Sequence, residues 1–451
     1  GALFPVRPAR KDVSVGRRTF PTSRRTLSFY PNYSKGLTGK LVISFLLLWF
    51  MVYIAVRTKF VSGVISSAVP INLFVAASIV AIAVSIHRVS VERKFFVLFM
   101  TSLLYSFFLV GVERLPLQNI LQFFLSTKFV FIFLATSLVA SDRRQRYWLG
   151  MSRVILFLLF LSLPFAALDF VAPGTIFEIA ADERGFGGVS VGSFFASRVL
   201  YSEFLLLVLI LLICIPEGSD GLYFSSSRAF RPYTLALVVV MLILTFSRKE
   251  ILIGAVILIA HYGNFSRIKP AWAAKSAMAI MFLFAFVVFF IAFMDLMLQN
   301  FSEGYVRFKI FMAAWDIFSS HFPLGSGPGT FGTAMSKSYT DVYLEFQVPT
   351  AVTGTSGEFD GPIFDLFFIS FFAEYGLGAF LIFWLFIYPF RTTPTETLAK
   401  VVDVRRFRIY LALVVFGAGF FVPIMGNVVG LLAFFALGLL TQNQSMARNA
   451  A

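Results

Sequence analysis

Charge is what this sequence has least of. Only 14% of its 451 residues are Asp, Glu, Lys or Arg, where an average soluble domain carries about 25%. Too few charged groups are present to coat a water-facing surface, which excludes an ordinary soluble domain. Cysteine occurs once, as Cys214 within an apolar run. That excludes a disulfide framework and any metal cluster built on thiolates. The three histidines, His87, His261 and His321, are scattered and lack metal-site spacing, so no metal is expected. The formal net charge is +15, yet no basic stretch forms a nucleic-acid motif. Lys and Arg collect in the cytoplasmic loops of membrane proteins, and a nucleic-acid partner is not expected. The chain opens Gly1-Ala2-Leu3, and residues 1–38 are basic and polar, without the apolar core of a secretory signal.

What the sequence has in abundance is hydrocarbon. Apolar residues make up 58% of it, and Phe alone occurs 59 times. In lipid every backbone N–H and C=O must be satisfied within its own segment, so long apolar runs must be helices. The expected fold is an all-α integral membrane protein with about twelve transmembrane helices. The spans fall near 40–57, 69–87, 94–112, 118–140, 149–171, 193–216, 232–247, 249–262, 272–298, 361–388, 407–424 and 425–442. This divides the chain into a basic cytoplasmic segment (1–39), nine helices (40–298), a large extracytoplasmic loop (299–360), three helices (361–442) and a cytoplasmic tail (443–451).

An even number of spans puts both termini on one side. Of the 38 Lys and Arg, only Arg57, Lys59, Arg114, Arg184, Arg248, Lys249, Arg307, Lys309 and Lys337 fall on the other side, and Lys128, Arg153, Arg198 and Lys275 lie within spans. The bias makes the termini of this multi-pass protein cytoplasmic. Residues 307–320 read as an amphipathic helix, with Phe308, Phe311, Met312, Trp315 and Phe318 at helical spacing, suited to the membrane surface.

Four polar clusters share the outer side, where charge near lipid is costly and tends to be functional. Asp182-Glu183-Arg184-Gly185 is either a solvated turn or a loop presenting Arg184 to an anion. Ser247-Arg248-Lys249-Glu250 matches a capping box. A capping box does not account for two cations at a helix start, where they oppose the dipole. A bound diphosphate would compensate both. Arg307 and Lys309 open the loop helix. The fourth cluster is Glu358, Asp360 and Asp365, with Glu374 further along. Asp360, before Gly361-Pro362, suits an N-cap. Asp365 enters a strongly apolar helix, where a desolvated carboxylate suits proton abstraction. Gly325-Ser-Gly-Pro-Gly329 follows no strand and reads as a tight turn rather than a dinucleotide fingerprint.

In this order the outer elements resemble the O-antigen polymerase and O-antigen ligase superfamily of bacterial membrane glycosyltransferases. The resemblance covers roughly residues 180–380, and the first five spans by hydropathy alone. Ser247-Arg248 matches the family's Ser-Arg at the outer end of a helix. Arg307, Trp315 and the stretch from His321 to Phe331 match its Arg, aromatic helix and Gly-rich turn. Asp365 and Glu374-Tyr375-Gly376 match the motif that opens its next span. Ligases have His at the slot that Asp365 fills, whereas many polymerases carry Asp, so the chain looks polymerase-like.

The resemblance implies a GT-C-like, multi-pass enzyme of a bacterial inner (plasma) membrane with a periplasmic active site. It would join undecaprenyl-pyrophosphate-linked repeat units into O-antigen, capsule or exopolysaccharide. Arg248 and Arg307 would act on the diphosphate with Asp365 as base, and Arg184, Lys249, Lys309, Glu358, Asp360 and Glu374 would bind substrate. No cofactor is implied. Its partners would be lipid-linked donor and acceptor, membrane lipid, a chain-length regulator and a flippase. The alternatives are a ligase that transfers glycan to lipid A core and, in a different class, a membrane transporter. Carriers usually show repeated halves and midplane polar groups, and neither is seen in the sequence.

Overall fold

A computed structural model describes residues 37–58, 68–84, 93–139, 141–172, 176, 191–195, 197–215, 230–263, 306–333, 335–336, 340–346, 367–399, 401–419 and 427–441. Among them there are helices and no strands. In chain order the α-helices are α1 (Leu37–Arg57), α2 (Ala68–Val84), α3 (Arg93–Val112), α4 (Gln118–Ser137), α5 (Ser141–Val171), α6 (Arg198–Cys214), α7 (Phe230–Leu244) and α8 (Arg248–Tyr262). They continue with α9 (Val306–Ser320), α10 (Thr340–Glu345), α11 (Phe367–Tyr375), α12 (Ala379–Arg391), α13 (Glu396–Ala399), α14 (Val404–Gly419) and α15 (Val428–Leu440).

Four stretches are long and apolar enough to cross a membrane: Phe95–Val112, Gln118–Ser137, Arg143–Val171 and Phe368–Arg391. Shorter apolar helices are Ser44–Arg57, Pro70–Ala83, Arg231–Leu244 and Val428–Leu440. The expected span at 272–298 lies outside the described residues. Helix α5 starts at Ser141, earlier than the expected 149, because Arg143, Arg144 and Arg146 are helix formers despite their charge.

Two helices form the centre. Every residue of α15, Val428-Val-Gly-Leu-Leu-Ala-Phe-Phe-Ala-Leu-Gly-Leu-Leu440, is buried. Helix α6 is buried almost throughout. A helix that is apolar on all sides has no polar face to turn outward and must be surrounded by others. Helix α15 packs chiefly on α4 and also touches α5, α6, α12 and α14, while α6 meets α5, α7, α8 and α14. At the α4–α15 crossing, a Cβ on Gly438 would fall 1.8 Å from Thr136 Oγ1. The missing side chain lets the two backbones approach, as small residues do between membrane helices. Phe129 of α4 fills the remaining space, its ring 4.6 Å from that of Phe386 and 4.5 Å from that of Phe434.

The stretch expected as one unbroken span at 361–388 is broken in the middle. Helix α11 stops at Tyr375, a 3-10 turn occupies Gly376–Gly378, and α12 resumes at Ala379. The break has a partner. The Gly-rich turn after α9 lies against it, backbone to backbone. The Ser326 and Gly327 amides donate to the carbonyls of Ala373 and Glu374, both at 2.9 Å, and the Leu377 amide donates to Pro323 O at 2.9 Å. Carbonyls orphaned where α11 stops are thereby satisfied without water. Gly325 (φ 84) and Gly376 (φ 52) face each other in left-handed conformations. A Cβ on Gly325 would sit 2.4 Å from Gly376 N, and one on Gly376 2.2 Å from Pro323 O. Tyr105 of α3 closes the joint, its hydroxyl 3.0 Å from both Leu324 O and Tyr375 O.

Gly325→Ala is expected to destabilise the folded protein by at least ~2 kcal/mol, from left-handed backbone strain plus backbone collision. Gly111→Ala, where an added Cβ meets nothing within 4 Å, should be neutral or stabilising by up to ~1 kcal/mol. Thermal unfolding of the two variants in detergent checks the contrast.

Candidate functional site

The end of the bundle where α8 begins carries the densest polar chemistry. Helix α7 finishes at Leu244, and three residues turn the chain into α8. Phe246 takes a positive φ of 50. Ser247 is extended and serves as N-cap, its carbonyl accepting from Ile251 N at 3.0 Å. The expected capping box forms only in part. The Ser247 hydroxyl caps no amide; it donates instead to Glu250 Oε2 at 2.5 Å. A hydrogen bond from a hydroxyl to a carboxylate is stronger than one between a hydroxyl and a backbone amide, and Glu250 is fully buried.

Arg248 and Lys249 part company at this turn. Lys249 folds inward, its Nζ 3.3 Å from Glu250 Oε1. Arg248 points outward and is exposed, without a hydrogen bond or ion pair among the described residues. Beneath them lies a second carboxylate that the sequence reading passed over. Glu203, on the second turn of α6, is wholly buried and close enough to interact electrostatically with both Glu250 and Lys249. Its Oε2 accepts from Asn427 Nδ2 at 2.7 Å. The other side-chain atom of Asn427, Oδ1, caps α15 by accepting from Val429 N (3.0 Å) and Gly430 N (2.9 Å). Helix α1 reaches the same region through Tyr53, whose ring carries the Arg57 guanidinium at 5.6 Å. The sequence did hold a signal for Glu203: a lone carboxylate inside Tyr201-Ser-Glu-Phe-Leu-Leu-Leu207 is costly in an apolar helix and needs a reason.

Glu374, expected among the substrate-binding groups, is wholly buried beneath the Gly-rich turn. Its Oε1 accepts from the Phe331 amide at 3.0 Å and the Thr333 hydroxyl at 2.6 Å. The amides of Gly329 and Thr330 also face the carboxylate. Around it the turn is tied to α4, with Asn119 Nδ2 donating to Pro328 O (2.8 Å) and Met335 N donating to Gln122 Oε1 (3.1 Å). The Tyr343 hydroxyl of α10 accepts from Gly332 N at 2.9 Å, and burial pushes its phenol above the ordinary value.

Helix α9 rests on α11 through Ile310, Ala313, Ala314 and Ile317, which are buried. Phe311, Met312 and Trp315 of the expected aromatic stripe face outward. Lys309 is exposed. Arg307 is the second residue of α9, and its side chain lies outside what is described. Arg184, Glu358, Asp360 and Asp365 also lie outside the described residues. The structure therefore brings Arg248, Lys249 and Glu250 together with the unforeseen Glu203 and Asn427, and it puts Glu374 in a separate knot under the turn. No group of three or more His, Cys, Asp or Glu among the described residues is arranged to hold a metal ion.

Comparison with protein-family models finds none that matches the chain, and comparison with curated proteins finds no match either.

Glu374→Ala removes one acceptor from two buried donors and is expected to cost about 2–5 kcal/mol of stability. Lys309→Ala, at an exposed position of the same region, should stay within about 0.5 kcal/mol. Thermal midpoints of the purified variants check the difference.

Proposed function

We propose that the chain is an integral membrane glycosyltransferase that polymerises polyprenyl-diphosphate-linked oligosaccharide repeat units. The observation that carries this reading is the exposed Arg248 at the start of α8, a guanidinium with no counter-charge among the described residues. A guanidinium beside a helix N-terminus suits a diphosphate better than most ligands, because the fork donates two hydrogen bonds and the dipole adds to its charge. The ordered outer motifs supply the rest of the case, with Arg307 and Arg184 as further cations and Asp365 as the base.

In this reading a hydroxyl oxygen of the acceptor repeat attacks the anomeric carbon of the donor glycan. The bond from that carbon to the carrier diphosphate breaks, and the electron pair leaves with the diphosphate. Arg248 and Arg307 stabilise the developing charge. The hydroxyl proton passes to Asp365. The products are a glycan lengthened on the acceptor's carrier and a free polyprenyl diphosphate.

The reading needs Arg248 on the outer face, and the opposite end of the bundle supports that orientation. There the C-termini of α4, α6, α12 and α15 converge. Arg144, buried, donates to Ser137 O (2.7 Å), Val139 O (2.8 Å) and Thr395 Oγ1 (2.9 Å). Arg408 donates to Thr392 O and, at 3.0 Å, to Thr392 Oγ1, and the Asp403 amide donates to Cys214 O at 2.8 Å. A cytoplasmic location for this Arg-rich end follows the positive-inside rule.

Incubation of purified protein with a lipid-linked repeat unit should give a glycan ladder. Transfer only onto a lipid A core acceptor would make the protein a ligase, and no transfer at all would reopen transport. Arg248→Ala and Arg307→Ala should each lower polymer formation at least about 100-fold with insertion intact, the scale of losing one transition-state donor. Asp365→Asn should retain bound substrate and lose turnover; wild-type polymer from it would remove the assigned base. In a Cys214→Ser background, a membrane-impermeant maleimide added to intact cells should label Ser319→Cys and spare Thr393→Cys. The reverse pattern would invert the orientation.

A further inference from the structure

We propose that Glu203, Glu250, Lys249 and Asn427 form a charge-balanced strut inside the bundle, and that Glu203 is a positioning residue which holds Arg248 outward. The proposal rests on the polymerase reading for what Arg248 grips, and on geometry alone for the strut itself.

Two buried carboxylates and the buried nitrogen of one ammonium gather where α6 meets α8 and α15. Uncompensated, a charge in such a place is expensive. Two helix N-termini supply the balance. Glu250 lies in the first turn of α8, and Glu203 is bonded to the N-cap residue of α15. Each N-terminus is equivalent to about half a positive charge, so together with Lys249 they offset both carboxylates. Arg57 of α1, held on the Tyr53 ring, and Arg198 at the start of α6 stand outside this count, since the charged groups that act on Glu203 are Glu250 and Lys249.

The balance explains why two adjacent cations take opposite directions. Lys249 is drawn inward by two carboxylates and completes their neutralisation. Nothing in the strut remains to attract Arg248, so its guanidinium stays outside. With Glu203 neutralised, Glu250 alone faces Lys249 and two helix N-termini. The strut then carries a surplus positive charge that pushes Lys249 out of the interior. The first turn of α8, which carries Arg248, shifts with it. Glu203 touches no substrate; it acts through α8.

The test uses four variants of the full-length protein. Glu203→Gln keeps the hydrogen bond from Asn427 and removes one negative charge, and Lys249→Met removes the positive one. Both should lower the thermal midpoint, and Glu203→Gln/Lys249→Met, balanced again, should regain most of the loss. With a lipid-linked repeat unit as probe, Glu203→Gln should lower kcat about tenfold, with KM within about twofold. Added to Arg248→Ala it should cause no further loss, because it acts through that residue. A double variant no more stable than the worse single variant would overturn the strut. Multiplying losses with Arg248→Ala would overturn the positioning role. A wild-type protein that makes no ladder would overturn the polymerase reading, while the thermal comparison still decides the strut.

Discussion

Helix ends govern this structure. Each helix leaves backbone amides unsatisfied at its start and carbonyls unsatisfied at its finish, and in a bundle this poor in polar groups water cannot be relied on to meet them. At one end, arginines meet the carbonyls: Arg144 serves the finish of α4, and Arg408 that of α12. At the other end, the Glu250 carboxylate stands in the first turn of α8, and the Asn427 side chain accepts from two amides at the start of α15. At these particular ends the charges suit the dipoles, with guanidinium groups at carbonyl ends and Glu250 in the first turn of α8. Arg248 takes no part in this matching: it is a cation at a helix start, exposed at the mouth of α8.

The same constraint accounts for the interrupted helix at Gly376. A break in an apolar segment exposes carbonyls that must be met inside the protein. The turn at 323–327 meets them with its own amides. Glu374 then secures the turn from below by accepting from Phe331 and Thr333. The glycines serve this joint first, since their missing side chains are what permit two backbones to touch. Any role of the turn in holding a ligand is built on a rigid support.

The helical class and most helix positions were legible in the sequence, because long apolar runs leave the backbone no other choice. The aromatic helix at 306–320 was legible too, though not which side it buries: the packed stripe is Ile310, Ala313, Ala314 and Ile317, while Trp315 faces out. Small residues let α9 approach α11 closely, and bulk went to the open side. The break at Gly376 was hidden because hydropathy is blind to backbone conformation. Within the site, Ser247 through Glu250 were found from spacing and charge. Glu203 and Asn427 were not, since they come from α6 and the start of α15, and only the tertiary fold brings them beside α8.

The joint between the Gly-rich turn and the α11–α12 break also bears on how this protein can be engineered. Tags and reporter domains are usually inserted in long surface loops, on the premise that such segments can lengthen without cost. Between His321 and Thr333 that premise fails. The chain there is stitched to α3, α4 and α11, and an inserted residue would pull on three helices at once. Topologically a connector, the segment is mechanically part of the core.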